Sequence, residues 1–255
     1  VQEGSLIARF GRARRDPTLA VLEGFHALKH ALRFGADVLL LACRDTDELD
    51  RLTARLAPDL LARVGELAQA VKPDVFEQLA PLAPSTGVIA LARRPSIDPT
   101  AILLDRSEAP IVLLEDPRDL GNIGACVRVA AAASAAAVLS TGSHDPWSPD
   151  ALRGAAGLHF ALPVARLPTL EPIGARARRG RPLLALDPDG EALRASELPA
   201  RALLAFGSER YGLSDELLER ADARISIPMR AGVSSLNLAT SLAAVLFAWR
   251  LSSRG

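Results

Sequence analysis

Three short segments of the sequence place polar or charged side chains directly after an apolar run. In IVLLEDPRDLGNIGACVRVAAAASAAA (111–137) the residues that could do chemistry are Asn122 and Arg128. An asparagine at a helix start can cap it, accepting an N–H from the first turn. Helical side chains lean toward the N-terminus, so Arg128 would reach over Gly124 among the small Ala125, Ala131 and Ala132. A guanidinium with so little bulk around it is costly to bury unless it meets an anion or a cavity; otherwise it is a surface arginine. In LLAFGSERYGLSDELLERA (203–221) Gly207 and Gly212 bracket Glu209 on a tight backbone path. That carboxylate needs a partner, either a cation such as Arg128 or a neighbour in a loop salt bridge. Ser214 can cap the following helix, with Asp215 and Glu216 in its first turn. In ISIPMRAGVSSLNLATSLAAVLFAWR (225–250) Ser235 and Asn237 stand at the mouth of an apolar helix. Ser234 or Ser235 as its cap accounts for one hydroxyl and leaves Asn237 over, and the free N–H groups there could receive acceptors from a ligand. Ile227 and the backbone near Met229 offer a flat ring an apolar wall.

Other chemistries are less well served. Cys43 and Cys126 are far apart with no CxxC or Cys/His spacing, so they read as small buried hydrophobes and no metal is expected. The Gly121-to-Gly124 turn lacks a third glycine and the later acidic residue of a dinucleotide loop, and no phosphate-binding GxxxxGK run occurs. Both absences count against a metabolic enzyme with a nucleotide cofactor.

The elements that must position these residues alternate along the chain. Strand candidates are IVLLE (111–115), AVLS (137–140), PLLALD (182–187), ALLAFG (202–207) and RISIP (224–228), with helical segments between them and a last helix from about Ser235 to Leu251. Continuous apolar strands separated by helices predict an α/β fold with a mostly parallel sheet covered on both faces. In such sheets ligands sit beyond the carboxyl ends of the strands, where the three segments begin. Upstream, PTLAVLEGFHALKHALRFG reads as a helix ending at Gly35, DVLLLAC and STGVIALARR as strands, and DELDRLTARLAPDLLARV as helical. Prolines at 95, 99 and 110 mark residues 95–109 as a linker. The expected division is a small α/β domain over 1–94, that linker, and a larger domain over 110–255.

The chain has 255 residues and a formal net charge of zero, so nucleic-acid binding would need a local patch rather than bulk charge. Arg9, Arg12, Arg14 and Arg15 form one candidate patch, and solvated surface is its ordinary reading. No apolar run approaches the roughly 20 residues of a membrane span, and no signal-peptide pattern opens the chain. A cytoplasmic protein without membrane contact is expected.

NIGACVR, FGSERYGLS and ISIPMRAGVSSLNLATSLA, in this order, resemble the three motifs of the SpoU/TrmH family (SPOUT superfamily) of RNA 2′-O-ribose methyltransferases. The likeness runs through residues 110–251 and includes STGSHDPWSPDALRGAAGLHFALPV. EGFHALKHALRFGAD and VFEQLAPLAPSTGVIALA look like the family's substrate-binding extension, a small α/β domain similar to a ribosomal protein. The resemblance implies a C-terminal trefoil knot, a homodimer with its site near the interface, S-adenosylmethionine as methyl donor and RNA as substrate. Ribosomal RNA is preferred, because the extension resembles those of ribosomal-RNA members, and transfer RNA stays open. Matched by motif, Asn122, Arg128, Glu209, Ser235 and Asn237 are the implied catalytic residues. Gly207, Ile227 and Leu236 are the implied donor contacts, largely through backbone. Arg128 is usually cast as the base in this family; a guanidinium holds its proton too firmly for that, so an orienting role for Arg128 is expected. The bulky Arg210 and Tyr211 depart from the family's second motif and bear on substrate choice. With RNA as partner, Arg9, Arg12, Arg14 and Arg15 become expected phosphate contacts, and Arg153 another. A non-catalytic RNA-binding protein on the same fold is the competing class.

Overall fold

The computed structural model describes residues 3–174 and 180–252. They form two compact units, residues 3–96 with 147–161, and residues 97–146 with 162–174 and 180–252.

The first unit runs α1 (Glu3–Ala13), β1 (Leu19–Glu23), α2 (Phe25–Arg33), β2 (Val38–Cys43), α3 (Thr46–Leu56), α4 (Leu61–Leu67), β3 (Ala68–Ala70), α5 (Pro73–Phe76) and β4 (Val88–Arg93). Its four-stranded sheet has the order β1-β4-β2-β3. Phe10, Val21, Phe76 and Leu91 are among the buried residues of its core. The helix expected from Pro17 to Gly35 is a strand and a helix. Leu19–Glu23 pairs antiparallel with β4, and Gly24 then turns the chain at φ 94, a conformation few other residues hold. Gly35 does close α2, at φ 75.

The second unit holds α6 (Pro99–Leu103), β5 (Ile111–Leu114), α7 (Leu120–Ala133), β6 (Ala137–Ser140), β7 (Val164–Arg166), β8 (Leu183–Ala192), β9 (Leu203–Phe206), α9 (Asp215–Arg220), β10 (Ala223–Ser226) and α10 (Leu238–Ser252), α8 (Pro149–Gly154) belonging to the first unit. Its six strands have the order β10-β8-β9-β5-β6-β7, and every pairing is parallel. This is the mostly parallel α/β sheet that the apolar runs imply. Leu103, Ile111, Leu113, Leu139 and Leu203 are buried in its core. From β5 the chain goes to β6 on one side, while β9 flanks β5 on the other, so a crevice opens between the carboxyl ends of β5 and β9.

Two segments depart from the expected division. Residues 95–109 do not behave as a free linker. They contain α6, whose Ile102 and Leu103 are buried in the second core. The guanidinium of buried Arg181 also donates to the carbonyls of Asp105, Ser107 and Ala109 at 3.2, 3.4 and 2.6 Å. Residues 147–161 group with the first unit rather than with 110–255. His30 Nδ1 lies 2.8 Å from the Ala156 carbonyl, and any side chain at Gly157 would run into the backbone of Ala27.

Candidate active site

All eight residues expected to act on substrate or methyl donor fall in the second unit, on α7 and on the segments that follow β9 and β10. α7 starts directly after β5. Its N-cap is Asp119, which accepts from the N–H of Asn122 at 2.7 Å. Asn122 is therefore not the cap, and its side chain is free for other partners. α10 starts directly after Asn237, whose Oδ1 accepts from the N–H groups of Ala239 and Thr240 at 2.9 and 3.3 Å. Asn237, rather than Ser234 or Ser235, does the capping. The two helices run side by side in the same direction. Asn237 Nδ2 donates to Asn122 Oδ1 at 3.0 Å at their starts, and Arg250 donates to the Ala133 carbonyl at 2.8 Å at their ends.

The loop after β9 joins this pair. Ser208 and Gly212 exchange two backbone hydrogen bonds of 3.0 Å, closing the loop on itself. A Cβ at Gly207 would collide with the backbone of Gly212 and Leu213, so only glycine permits that closure. Ser214 caps α9 as expected, accepting from the Leu217 N–H at 3.2 Å. The closed loop presents Glu209, whose Oε1 accepts from Asn122 Nδ2 at 2.9 Å and whose Oε2 accepts from the Arg118 N–H at 3.2 Å. Partial burial raises the Glu209 carboxyl. Hydrogen bonds from the Asn122 side chain and from the N–H groups of Glu209, Arg118 and Asp119 together outweigh that and hold it below the ordinary value.

These bonds form one polarised chain. Ionised Glu209 can only accept, and the N–H groups at the start of α10 can only donate. Both amides between them therefore have a single orientation: Asn122 gives its NH₂ to Glu209 and its oxygen to Asn237, and Asn237 gives its oxygen to the helix. Turning either amide over would set donor against donor.

Arg128 differs from its expected pairing. It is exposed on α7, and among the described residues it makes no ion pair or hydrogen bond, with Glu209 or otherwise. The two amide and backbone donors satisfy Glu209, so no cation is required there. Beside the chain lies a pocket of about 320 Å³, whose lining includes Gly207, Ile227, Ser235 and Leu236. Ser235 and Leu236 are exposed at its mouth. Asp187, on the β8 side of the pocket, faces Arg224 at 3.5 Å.

The arginines expected to touch RNA separate into two groups, both in the first unit. Arg9, Arg12 and Arg15 are exposed. Arg14 and Arg153 instead grip the two oxygens of Glu23 at 2.8 and 2.7 Å, and the Glu23 side chain is only 5% exposed. Both are engaged within the protein. Among the described residues no group of three or more His, Cys, Asp or Glu could hold a metal ion, and no helix is long and apolar enough to cross a membrane.

Sequence reasoning missed Glu115. It follows β5, is buried, and accepts from the Ser214 N–H and Oγ at 2.7 and 2.6 Å. Its only signal was a charge ending the apolar run IVLLE.

A parallel sheet with a polar cluster at its β5/β9 switch point and a pocket beyond the ends of β8, β9 and β10 defines an α/β enzyme domain of the ligand-binding kind. Within that class, residues 109–247 match the SpoU rRNA Methylase family, and the chain belongs to it. An uncharacterized tRNA/rRNA methyltransferase of Mycobacterium bovis is 34% identical over 211 residues, covering 78% of this chain and 70% of that protein. The 23S rRNA (uridine(2479)-2′-O)-methyltransferase of Streptomyces viridochromogenes is 31% identical over 200 residues, covering 75% of this chain and 64% of that protein. Two crystal structures of the SpoU methyltransferase AviRb from Streptomyces viridochromogenes, one in complex with the cofactor AdoMet, match with TM-scores of 0.78 over 97% of this chain and 98% of theirs. Their sequence identities are 24% for the complex and 27% for the other.

Proposed function

We propose that this chain transfers a methyl group from S-adenosylmethionine to a ribose 2′-hydroxyl of RNA, with ribosomal RNA the preferred substrate. The polarised chain from Glu209 through Asn122 to Asn237 supports this most, because it ties three distant segments together beside one pocket. Relatives named as 23S rRNA 2′-O-methyltransferases support the substrate class.

The pocket suits the methyl donor in kind. Its volume is in the range of small-molecule sites, Ile227 and Leu236 give an apolar wall, and Gly207 leaves backbone accessible where a side chain cannot stand. When bound, S-adenosylmethionine supplies a methyl group on a positively charged sulfur that leaves readily. The protein's tasks are alignment and management of the hydroxyl proton. Arg128, with no internal partner among the described residues, is available to orient the ribose oxygen and to stabilise its negative charge as the hydroxyl proton passes to solvent water. Glu209 already accepts from the Asn122 side chain and from backbone N–H groups and is held below the ordinary carboxyl value, so it anchors Asn122 rather than taking that proton. Ser235 is available to the substrate at the pocket mouth.

Phosphate contacts fall to Arg9, Arg12 and Arg15, which position RNA without reading its sequence. Arg14 and Arg153 support the first unit by holding Glu23. A homodimer fits the exposed apolar side chains Val233, Leu236, Phe247 and Leu251. The C-terminal knot and a cytoplasmic setting belong to the same reading. The test is transfer of tritium from labelled S-adenosylmethionine to ribosomal and transfer RNA from a strain lacking the gene. Label in ribosomal RNA is expected; label in transfer RNA alone would move the substrate class, and label in neither would contradict the reading.

A further inference from the structure

The loop that carries Glu209 also holds the chain's single tyrosine in an unusual state. Tyr211 is 70% exposed. The Arg210 guanidinium lies over its ring, 5.3 Å from the centroid. The Tyr211 N–H donates to Ser208 Oγ at 3.3 Å, inside the loop closed by Ser208 and Gly212. The ring carries a cation over one face while the residue stays largely open to solvent. Burial does not explain this residue, since the ring contributes little to any core.

Its place does suggest a use. Tyr211 is two residues from Glu209, so their Cα atoms are within about 7 Å. Arg210, between them, lines the pocket. A nucleobase hangs from the sugar carbon next to the one bearing the 2′-oxygen. A ribose presented to Asn122 and Arg128 therefore carries its own base, or that of its neighbour, to within reach of this loop. Flat aromatic rings and guanidinium planes are the groups on which unstacked RNA bases rest.

We propose that Arg210 and Tyr211 form a preorganised shelf on which a base of the target RNA stacks while its ribose is methylated, making them substrate-selecting residues. This rests on the function proposed above. Because the arginine already covers one face, the free face of the ring is the stacking surface, and a base next to a methylated ribose must be out of its helix to use it.

The experiment compares the full chain with Tyr211→Ala and Tyr211→Phe, using transcribed 23S ribosomal RNA as probe. Stacking on an aromatic side chain contributes about 1–3 kcal/mol per base, so Tyr211→Ala should raise the RNA KM by about 5- to 150-fold. Tyr211→Phe keeps the ring and should restore KM to within about twofold. The Kd for S-adenosylmethionine should be the same in both variants as in the wild type, which a general collapse of the loop would not allow. In parallel, wild type irradiated with 5-bromouridine-substituted 23S RNA should yield an RNA adduct at Tyr211 by mass spectrometry. An unchanged KM in Tyr211→Ala would overturn the shelf, as would a loss of dimer mass in that variant, which would make the ring a contact between copies. If wild type binds this RNA without methylating it, the proposed function fails, and the RNA Kd of Tyr211→Ala, set against that of Tyr211→Phe, then decides the shelf.

Discussion

Replacing Glu115 by alanine should loosen the far end of the site loop. Glu115 is 8% exposed, and its two oxygens take the Ser214 N–H and Oγ at 2.7 and 2.6 Å. Hydrogen bonds to a charged group contribute about 1.5–3 kcal/mol each, and the partly buried Ser214 can recover some of this from water. A loss of about 3 kcal/mol follows, which for a chain of this size lowers Tm by about 6–12 °C. Glu115→Gln keeps an acceptor for the N–H and turns its NH₂ toward Oγ, so its loss should be about 1 kcal/mol. Function should suffer beyond stability. Ser214 ends the stretch that begins at Gly207 and carries Glu209, so Glu115→Ala should also bind S-adenosylmethionine more weakly at temperatures where it is still folded. Differential scanning calorimetry and a binding titration read the two effects. A Glu115→Ala protein whose Tm falls by less than about 2 °C and whose donor affinity is unchanged would refute the anchoring role.

Gly207→Ala should abolish donor binding, because its Cβ would meet the backbone of Gly212 and Leu213 and force the loop open; equilibrium dialysis with labelled S-adenosylmethionine checks it. The Glu209 carboxyl lies below its ordinary value of 4.5 in the folded chain. A carboxyl lowered by folding contributes stability that is present above its unfolded value and lost as pH falls through the folded one. Donor affinity and stability should thus hold at neutral pH and decline below about pH 4.5, and Glu209→Gln should lack that part of the acid limb in a pH series of melts. Arg12→Ala should reduce the slope of log K against log[salt] for RNA by about 0.7–0.9 with no change in Tm. Arg14→Ala should instead appear in the melt, by about 2 kcal/mol, since it leaves buried Glu23 with one partner fewer.

Much of the second unit was legible because most of its strands are short continuous apolar runs bounded by turn residues, whereas the three-residue β7 leaves too short a run to read. The three polar segments were legible for the same reason, each following such a run. The capping was not. Asn122 and Asn237 both sit near helix starts, yet Asp119 caps the first helix and Asn237 the second. The choice depends on which residue adopts the extended φ and ψ before the first turn, and several adjacent polar residues qualify equally by type. The Arg128–Glu209 pair was a reasonable charge match that the fold did not need, because neutral N–H donors already satisfied the carboxylate. β1 was hidden in an apparent helical period, since Leu19–Glu23 and Phe25–Arg33 are both apolar and only the positive φ of Gly24 separates them. The return of residues 147–161 to the first unit is a long-range packing choice that no local pattern records.

The central claim is that Arg128 and the Asn122–Glu209–Asn237 chain serve methyl transfer to a ribose oxygen. RNA labelled with tritiated S-adenosylmethionine by wild type and by Arg128→Ala, then hydrolysed in alkali, tests it directly. Alkaline cleavage needs a free 2′-hydroxyl, so a 2′-O-methyl group survives inside an intact dinucleotide. Wild type should place its label in alkali-stable dinucleotides, and Arg128→Ala should lose that label while binding the methyl donor as tightly as before. Label released as mononucleotides, or label that persists undiminished in Arg128→Ala, would contradict the account.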